Sequence, residues 1–261
     1  MRADVRADSI VWLFDLDNTL HDASHAIFPH LNRGMTDYIA QQLELNLADA
    51  NALRMHYWQR YGATLLGLLR HHAIDADHFL QHTHQFDDLP AMLRAERGLR
   101  QMLAHLPGRK ILMTNAPHAY AQQVLAHLGL HRNFQRCYAV EHMRLHGHYR
   151  PKPSRLMLRA LIRRERVHPS RCVLVEDTLK NLRCAKACGV ATVWVCGYAT
   201  QNRTSNRANK SHVPVQQTEG VHPTPHFQPQ SAPYFPQYVD LKIQSVRTLS
   251  RRIRALRSLA R

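Results

Sequence analysis

The sequence predicts an α/β protein, a Rossmann-like parallel sheet with an α-helical block inserted after its first strand. Three observations carry that prediction. Short apolar runs recur at Ile10-Val11-Trp12-Leu13-Phe14, Ile111-Leu112-Met113, Cys172-Val173-Leu174-Val175 and Ala191 to Cys196. Each is too short for an ordinary helix and too continuous for a half-exposed strand, so each reads as a parallel strand buried on both faces. The first three end abruptly in small polar or acidic residues, as strands do where an open α/β sheet binds its ligands. Between residues 21 and 97 the apolar spacing is helical throughout.

At the end of the first run stand Asp15 and Asp17, with Thr19 two residues further on. Like charges this close raise one another's pKa unless something positive lies between them, and a divalent metal is the simplest remedy. The alternative is a pair of solvated aspartates capping the next segment, for which Asp17-Asn18-Thr19 has suitable chemistry. The helical block follows. Met35, Ile39 and Leu43, then Leu65, Leu68 and Leu69, recur at helical spacing, and Asp49 and Asp75 stand where helix N-caps belong. Within it, Met55 to Thr64 is aromatic up to Gly62, which should break the helix and put Tyr61 and Thr64 at a turn.

A short helix from Gly98 to Leu106 leads through Pro107-Gly108 into the second strand, which ends on Thr114 and Asn115. A threonine hydroxyl at a strand end suits a phosphate oxygen, and the Asn115 amide could hold a substrate beside it. A helix from His118 to Leu128 and a short strand around Cys137 to Val140 follow. Lys152 then sits between Pro151 and Pro153, which keep it out of a helix interior, while Pro153-Ser154 suits a helix start. The next strand ends on Glu176 and Asp177, two more oxygen donors of the kind Mg²⁺ prefers.

Taken together and in order, these strand ends resemble the haloacid dehalogenase (HAD) superfamily. Asp15-Leu16-Asp17-Asn18-Thr19-Leu20 is similar to its first motif, Thr114 to its second, Lys152 to its third and Glu176-Asp177 to its fourth. The resemblance implies an HAD core over residues 1–20 and 98–197 with a helical cap over 21–97. It implies a Mg²⁺-dependent phosphatase in which Asp15 is the nucleophile and Asp17 the general acid and base. Lys152, Thr114 and Asn115 would hold the phosphate. The metal would be bound by Asp15, Asp17 through its backbone carbonyl, Glu176 and Asp177. Asp17 and the acidic loop argue against a dehalogenase, which needs neither. The turn sequence Tyr61-Gly62-Ala63-Thr64 further resembles the pyrimidine 5′-nucleotidase branch. That implies UMP or CMP as substrate, with Tyr61 and Thr64 as cap contacts, and a sugar phosphate or phosphoglycolate as the alternative.

Composition sets the remaining expectations. A chain of 261 residues can bury a full core and carry an insertion. No apolar run approaches the roughly eighteen residues of a membrane span, and five cysteines show no framework spacing, so a cytoplasmic protein without membrane partners is expected. The formal charge is +16, and half of it falls in the last quarter of the chain. This basic tail has no aromatic interleaving, so nucleic acid is not the expected partner; a basic nucleic-acid-binding protein on an inert scaffold is the rival class. Twenty histidines show no HExxH spacing. Residues 198–237, rich in Pro, Gln and His, read as a disordered insertion. Residues 238–261 read as a last core strand and a basic helix with Leu249, Ile253 and Leu256 on one face. A monomer or homodimer acting on a small phosphomonoester is the resulting expectation.

Overall fold

The computed structural model describes residues 10–198 and 235–252. These divide into two compact units, one formed by residues 10–23, 88–197 and 237–252, the other chiefly by residues 24–87.

The first unit is built on β1 (Val11–Phe14), β2 (Arg109–Met113), β3 (Arg136–Tyr138), β6 (Cys172–Glu176), β7 (Ala191–Val195) and β8 (Leu241–Ile243). Their order is β3-β2-β1-β6-β7-β8, with every pairing parallel. β1 is central: Phe14 lies opposite Leu112 on one side and Val175 on the other. Strand order therefore reverses around β1, and Asp15, Thr114 and Asp177 all emerge at one carboxyl edge. The four residues of β1 are buried, as the continuous apolar run requires. Trp12 satisfies its indole by donating to Pro107 O at 2.7 Å, and Phe14 meets Phe134 edge-on at 5.9 Å. Gly108 takes φ +93°, and a Cβ there would collide with the Ile10 carbonyl; only glycine allows the chain to enter β2 so close to β1.

Around this sheet run α5 (Leu89–Met92), α6 (Leu99–His105), α7 (His118–His127), α8 (Arg155–Arg164) and α9 (Leu179–Lys186), and a small hairpin pairs β4 (Arg144–Leu145) with β5 (His148–Tyr149). Ser154 caps α8 by accepting from Met157 N, and the apolar face of α8, Met157, Leu158, Leu161 and Ile162, joins the core formed with Val11, Leu13, Ile111 and Leu174. The edge strand β8 is fastened by Asp240. Its Oδ2 accepts from Thr192 N at 2.9 Å, and its Oδ1 pairs with Lys186 Nζ at 2.5 Å.

The second unit is helical: α1 (Ile27–Leu43), α2 (Leu47–Tyr61), α3 (Thr64–His71) and α4 (Ala76–Thr83). Gly62 ends α2 in the left-handed region at φ 83°, its N–H bonding Trp58 O, and α3 starts at Thr64. Asp75 caps α4, but α2 is capped by Asn46, not Asp49. The Asn46 side chain accepts from Asp49 N at 2.9 Å and donates to the Asp49 carboxylate, so the acid sits one turn in and braces the cap.

Three sequence boundaries shift. The helical block expected over 21–97 is a unit of 24–87, because Asp22 N bonds Arg94 O at 2.7 Å and ties both ends of the insertion to the sheet unit. The strand expected at 137–140 is Arg136–Tyr138, since Val140 opens a 3-10 turn. The helix expected from Val246 begins as a 3-10 turn with Leu249 buried. Ile253, Leu256 and nearly all of the 198–237 insertion lie outside the described residues.

Candidate active site

The site is built at the carboxyl edge of β1 from groups that three neighbouring connections deliver. Lys152, in the loop ahead of α8, is its hub. Its Nζ lies 2.5 Å from Asp15 Oδ1 and 2.8 Å from Glu176 Oε2, and all three side chains are buried. Thr19 donates to the second Asp15 oxygen at 3.1 Å, so each carboxylate oxygen of Asp15 has a donor. Glu176 Oε1 accepts from Thr178 N at 3.2 Å, and Thr178 Oγ1 donates to Asp177 Oδ1 at 3.0 Å.

Thr114 is buried at the end of β2, its N bonded to Tyr138 O and its hydroxyl accepting from Ala116 N at 3.0 Å. Asn115, expected as a phosphate contact, has its amide turned elsewhere. Its Nδ2 donates to Lys152 O at 3.0 Å and its Oδ1 accepts from Lys152 N at 2.8 Å. It therefore braces the backbone of the lysine loop, a role that the strand-end position in the sequence could not distinguish from a direct contact.

Electrostatics follow from packing three acids against one ammonium. Burial, then Glu176 and Asp17, push the Asp15 carboxyl from 3.8 up to about 7 against the pull of Lys152. Burial first, then Glu176 and Asp15, raise Asp177 well above the ordinary carboxylate range. Burial alone would lower Lys152, but Asp15 and Glu176 outweigh it and hold the ammonium. Asp15, Glu176 and Asp177 each offer an oxygen, all within 4.8 Å of one another, the one such group among the described residues. An all-carboxylate set short of positive charge suits a hard divalent cation, so these residues fit the metal that the sequence implied. The resemblance assigns Asp17's backbone carbonyl, not its side chain, to that metal. The side chain of Asp17 instead meets Tyr120 and His21.

Reasoning from sequence missed four residues that hold this centre. Thr19 was visible in the spacing of the first motif, and His21 four residues after Asp17. Tyr120 and Trp194 gave no signal beyond apolar helix and strand. Trp194 Nε1 donates to Asp177 O at 3.0 Å, with Lys242 Nζ 4.6 Å from the centre of its ring. In the helical unit, Tyr61 OH meets His71 Nε2 at 2.6 Å, with Arg60 and Arg70 near its ring. Thr64 is buried and donates to Arg54 O at 3.2 Å, which accounts for its hydroxyl within that unit.

Comparison with known proteins agrees with this architecture. The family profile described as "Hydrolase: haloacid dehalogenase-like hydrolase" matches residues 11–189. Among curated proteins, Phosphate metabolism protein 8 of Saccharomyces cerevisiae is 28% identical over 129 residues, covering 46% of this chain and 40% of the relative. Fructose-1-phosphate phosphatase YqaB of Escherichia coli is 35% identical over 80 residues, covering 31% of this chain and likewise 40% of the relative. The matches thus span well under half of each relative. Among solved structures, an HAD phosphatase from Thermococcus onnurineus superposes with a TM-score of 0.54 at 17% identity, covering 94% of this chain and 97% of that one. L-2-haloacid dehalogenase from Xanthobacter autotrophicus gives 0.53 at 16%, covering 94% and 98%. Such distant likenesses speak for the fold. No helix among the described residues is long and apolar enough to cross a membrane.

Proposed function

The chain belongs to the haloacid dehalogenase-like hydrolases, and from that membership we propose that it is a Mg²⁺-dependent phosphomonoester hydrolase working through an aspartyl phosphate. The observation that carries the reading is the ammonium of Lys152 held between Asp15 and Glu176 at a strand edge with Asp177 alongside. A dehalogenase has no use for a second acid at position 17 or for the acidic loop. Phosphoryl transfer uses both.

In the first step an Asp15 carboxylate oxygen attacks phosphorus in line, the bond to the departing oxygen breaks, and Asp17 gives that oxygen its proton. In the second, Asp17 takes a proton from water, the hydroxyl oxygen joins phosphorus, and Asp15 leaves as carboxylate with inorganic phosphate released. Lys152 and Thr114 hold the phosphoryl oxygens and neutralise charge that builds on them. Asp15, Glu176, Asp177 and the Asp17 carbonyl would hold Mg²⁺, which when bound would supply positive charge against the repulsion between the carboxylate and a phosphate dianion.

For substrate we favour pyrimidine nucleoside 5′-monophosphates, supported by the Tyr61-Gly62-Ala63-Thr64 turn, with Tyr61 a contact for the base. The named activity of the E. coli relative keeps sugar phosphates as the second reading. Five free thiols suit a reducing, cytoplasmic setting. The test is phosphate release from UMP, CMP, fructose 1-phosphate and phosphoglycolate, with Mg²⁺ and with EDTA. Release from UMP and CMP ahead of the others supports the full reading. A preference for fructose 1-phosphate transfers the chemistry to the second substrate class, and no release from any substrate with Mg²⁺ overturns the enzyme.

A further inference from the structure

Asp17 must present its carboxyl to two different oxygens, that of the leaving group and that of water, and a freely rotating side chain would do so slowly. Two side chains outside the recognised motifs prevent that rotation. Tyr120 of α7 donates its hydroxyl to Asp17 Oδ1 at 2.7 Å. His21 Nε2 lies 3.0 Å from the same oxygen.

The backbone delivers both. Asn18 takes φ 59°, Thr19 N and Leu20 N both bond Leu16 O, and a backbone bridge joins Asp17 to His21. This tight turn returns the imidazole to the aspartate. α7 starts where His118 N bonds both oxygens of Glu141 at 2.9 and 3.0 Å, which sets the register that brings Tyr120 in. His21 is wholly buried and Tyr120 nearly so.

A carboxylate only accepts, so His21 must donate from Nε2. Its Nδ1 is then left buried with no hydrogen-bond partner, an arrangement that costs stability. The imidazole's polar contact is thus spent on Asp17. The phenol of Tyr120 faces an oxygen that only accepts, so the tyrosine is the donor.

We propose that Tyr120 and His21 are positioning residues for the proton-transfer steps: by filling both lone pairs of Asp17 Oδ1 they fix the carboxyl plane and leave proton traffic to Oδ2. This rests on the phosphatase reading above. In the first step Oδ2 loses its proton to the leaving oxygen as the phosphorus–oxygen bond breaks, and in the second it takes one from the attacking water.

The test compares kcat/KM for UMP, or the best substrate of the panel, with that for p-nitrophenyl phosphate, whose leaving group departs without a proton. Because kcat/KM reports events up to loss of the leaving group, Y120F is expected to fall about 10–100-fold on the alkyl ester and under about threefold on the aryl ester. In a D17N background Y120F should add no further loss. Equal losses on both esters, or an additive loss in D17N, would overturn the inference while leaving the phosphatase intact. A wild-type protein that hydrolyses neither ester overturns both. Melting curves check folding, and if Y120F does not fold, H21Q and H21F carry the same comparison, with H21Q closer to wild type because its amide can donate.

Discussion

Replacing Asp15 by Asn tests the nucleophile and the electrostatics of the centre together. Asn keeps the shape of the side chain but cannot form the acyl phosphate, so turnover should fall at least about a thousandfold. Stability should move the other way when no metal is bound. In the wild type the Asp15 carboxyl rises from 3.8 to about 7, through burial first and then the Glu176 charge. At about 1.4 kcal/mol per pH unit, that gap corresponds to about 4 kcal/mol of lost stability once the group ionises. Asn also withdraws a charged partner from Lys152, which offsets much of the gain and leaves a net of about 1–2 kcal/mol. For a domain of this size that is about 2–4 °C in Tm. The sign follows from linkage: a carboxyl with a higher pKa folded than unfolded binds its proton more tightly in the folded state. Its stability contribution is complete below about pH 4, is lost as pH rises to about 7, and is level beyond. D15N lacks that slope. Thermal melts in EDTA should therefore show D15N gaining on the wild type from about pH 5 and leading it by 2–4 °C at pH 8. Near wild-type turnover, or a Tm difference that is the same at pH 5 and pH 8, would refute the reasoning.

Mg²⁺ should raise the wild-type Tm more at pH 8 than at pH 5, because it competes with protons for Asp15 and Asp177; with Mg²⁺ at a hundred times its Kd the gain is about 2.7 kcal/mol, and a shift that shrinks as pH rises would contradict this. W194F removes the donor to Asp177 O. It should weaken Mg²⁺ binding about tenfold by calorimetry while kcat at saturating Mg²⁺ changes little, and unchanged affinity would make Trp194 a packing residue only. K152M leaves Asp15 and Glu176 buried without their shared ammonium. Its loss should be about 3 kcal/mol in EDTA by urea melts and smaller with Mg²⁺, and a variant equally destabilised in both would show that lysine and metal do not share the charge.

How much of this was legible beforehand depended on where a residue's role originates. The places of Asp15 and Glu176 were readable because they come from chain direction: an apolar run marks a buried strand, and the next residues must appear at its carboxyl edge. The flanking prolines of Lys152 added a local constraint of the same kind. The cap of α2 was harder because Asn46 and Asp49 are both good capping residues three positions apart, and only the observed backbone chooses between them. The anchor of the Glu176-Asp177 loop, Trp194, sits in a strand whose apolar pattern needs a bulky residue anyway, so its indole proton had no distinguishing signal.

Tyr120 shows the limit most clearly, standing 103 positions from the aspartate it touches. In α7 its ring fills a buried position alongside Ala121, Val124 and Leu125, and any large apolar residue would satisfy that spacing. A phenylalanine there would be read identically from sequence, yet it would lack the hydroxyl that donates to Asp17. Groups that act on phosphate are named by motifs because the chemistry restricts their identity and order. Groups that hold those groups are restricted only by apposition across elements, and so become visible when the fold brings a polar atom, buried and otherwise costly, onto a catalytic oxygen. His21, with Nε2 on that oxygen and Nδ1 unpartnered, is the residue at which the cost can be seen and the positioning role tested.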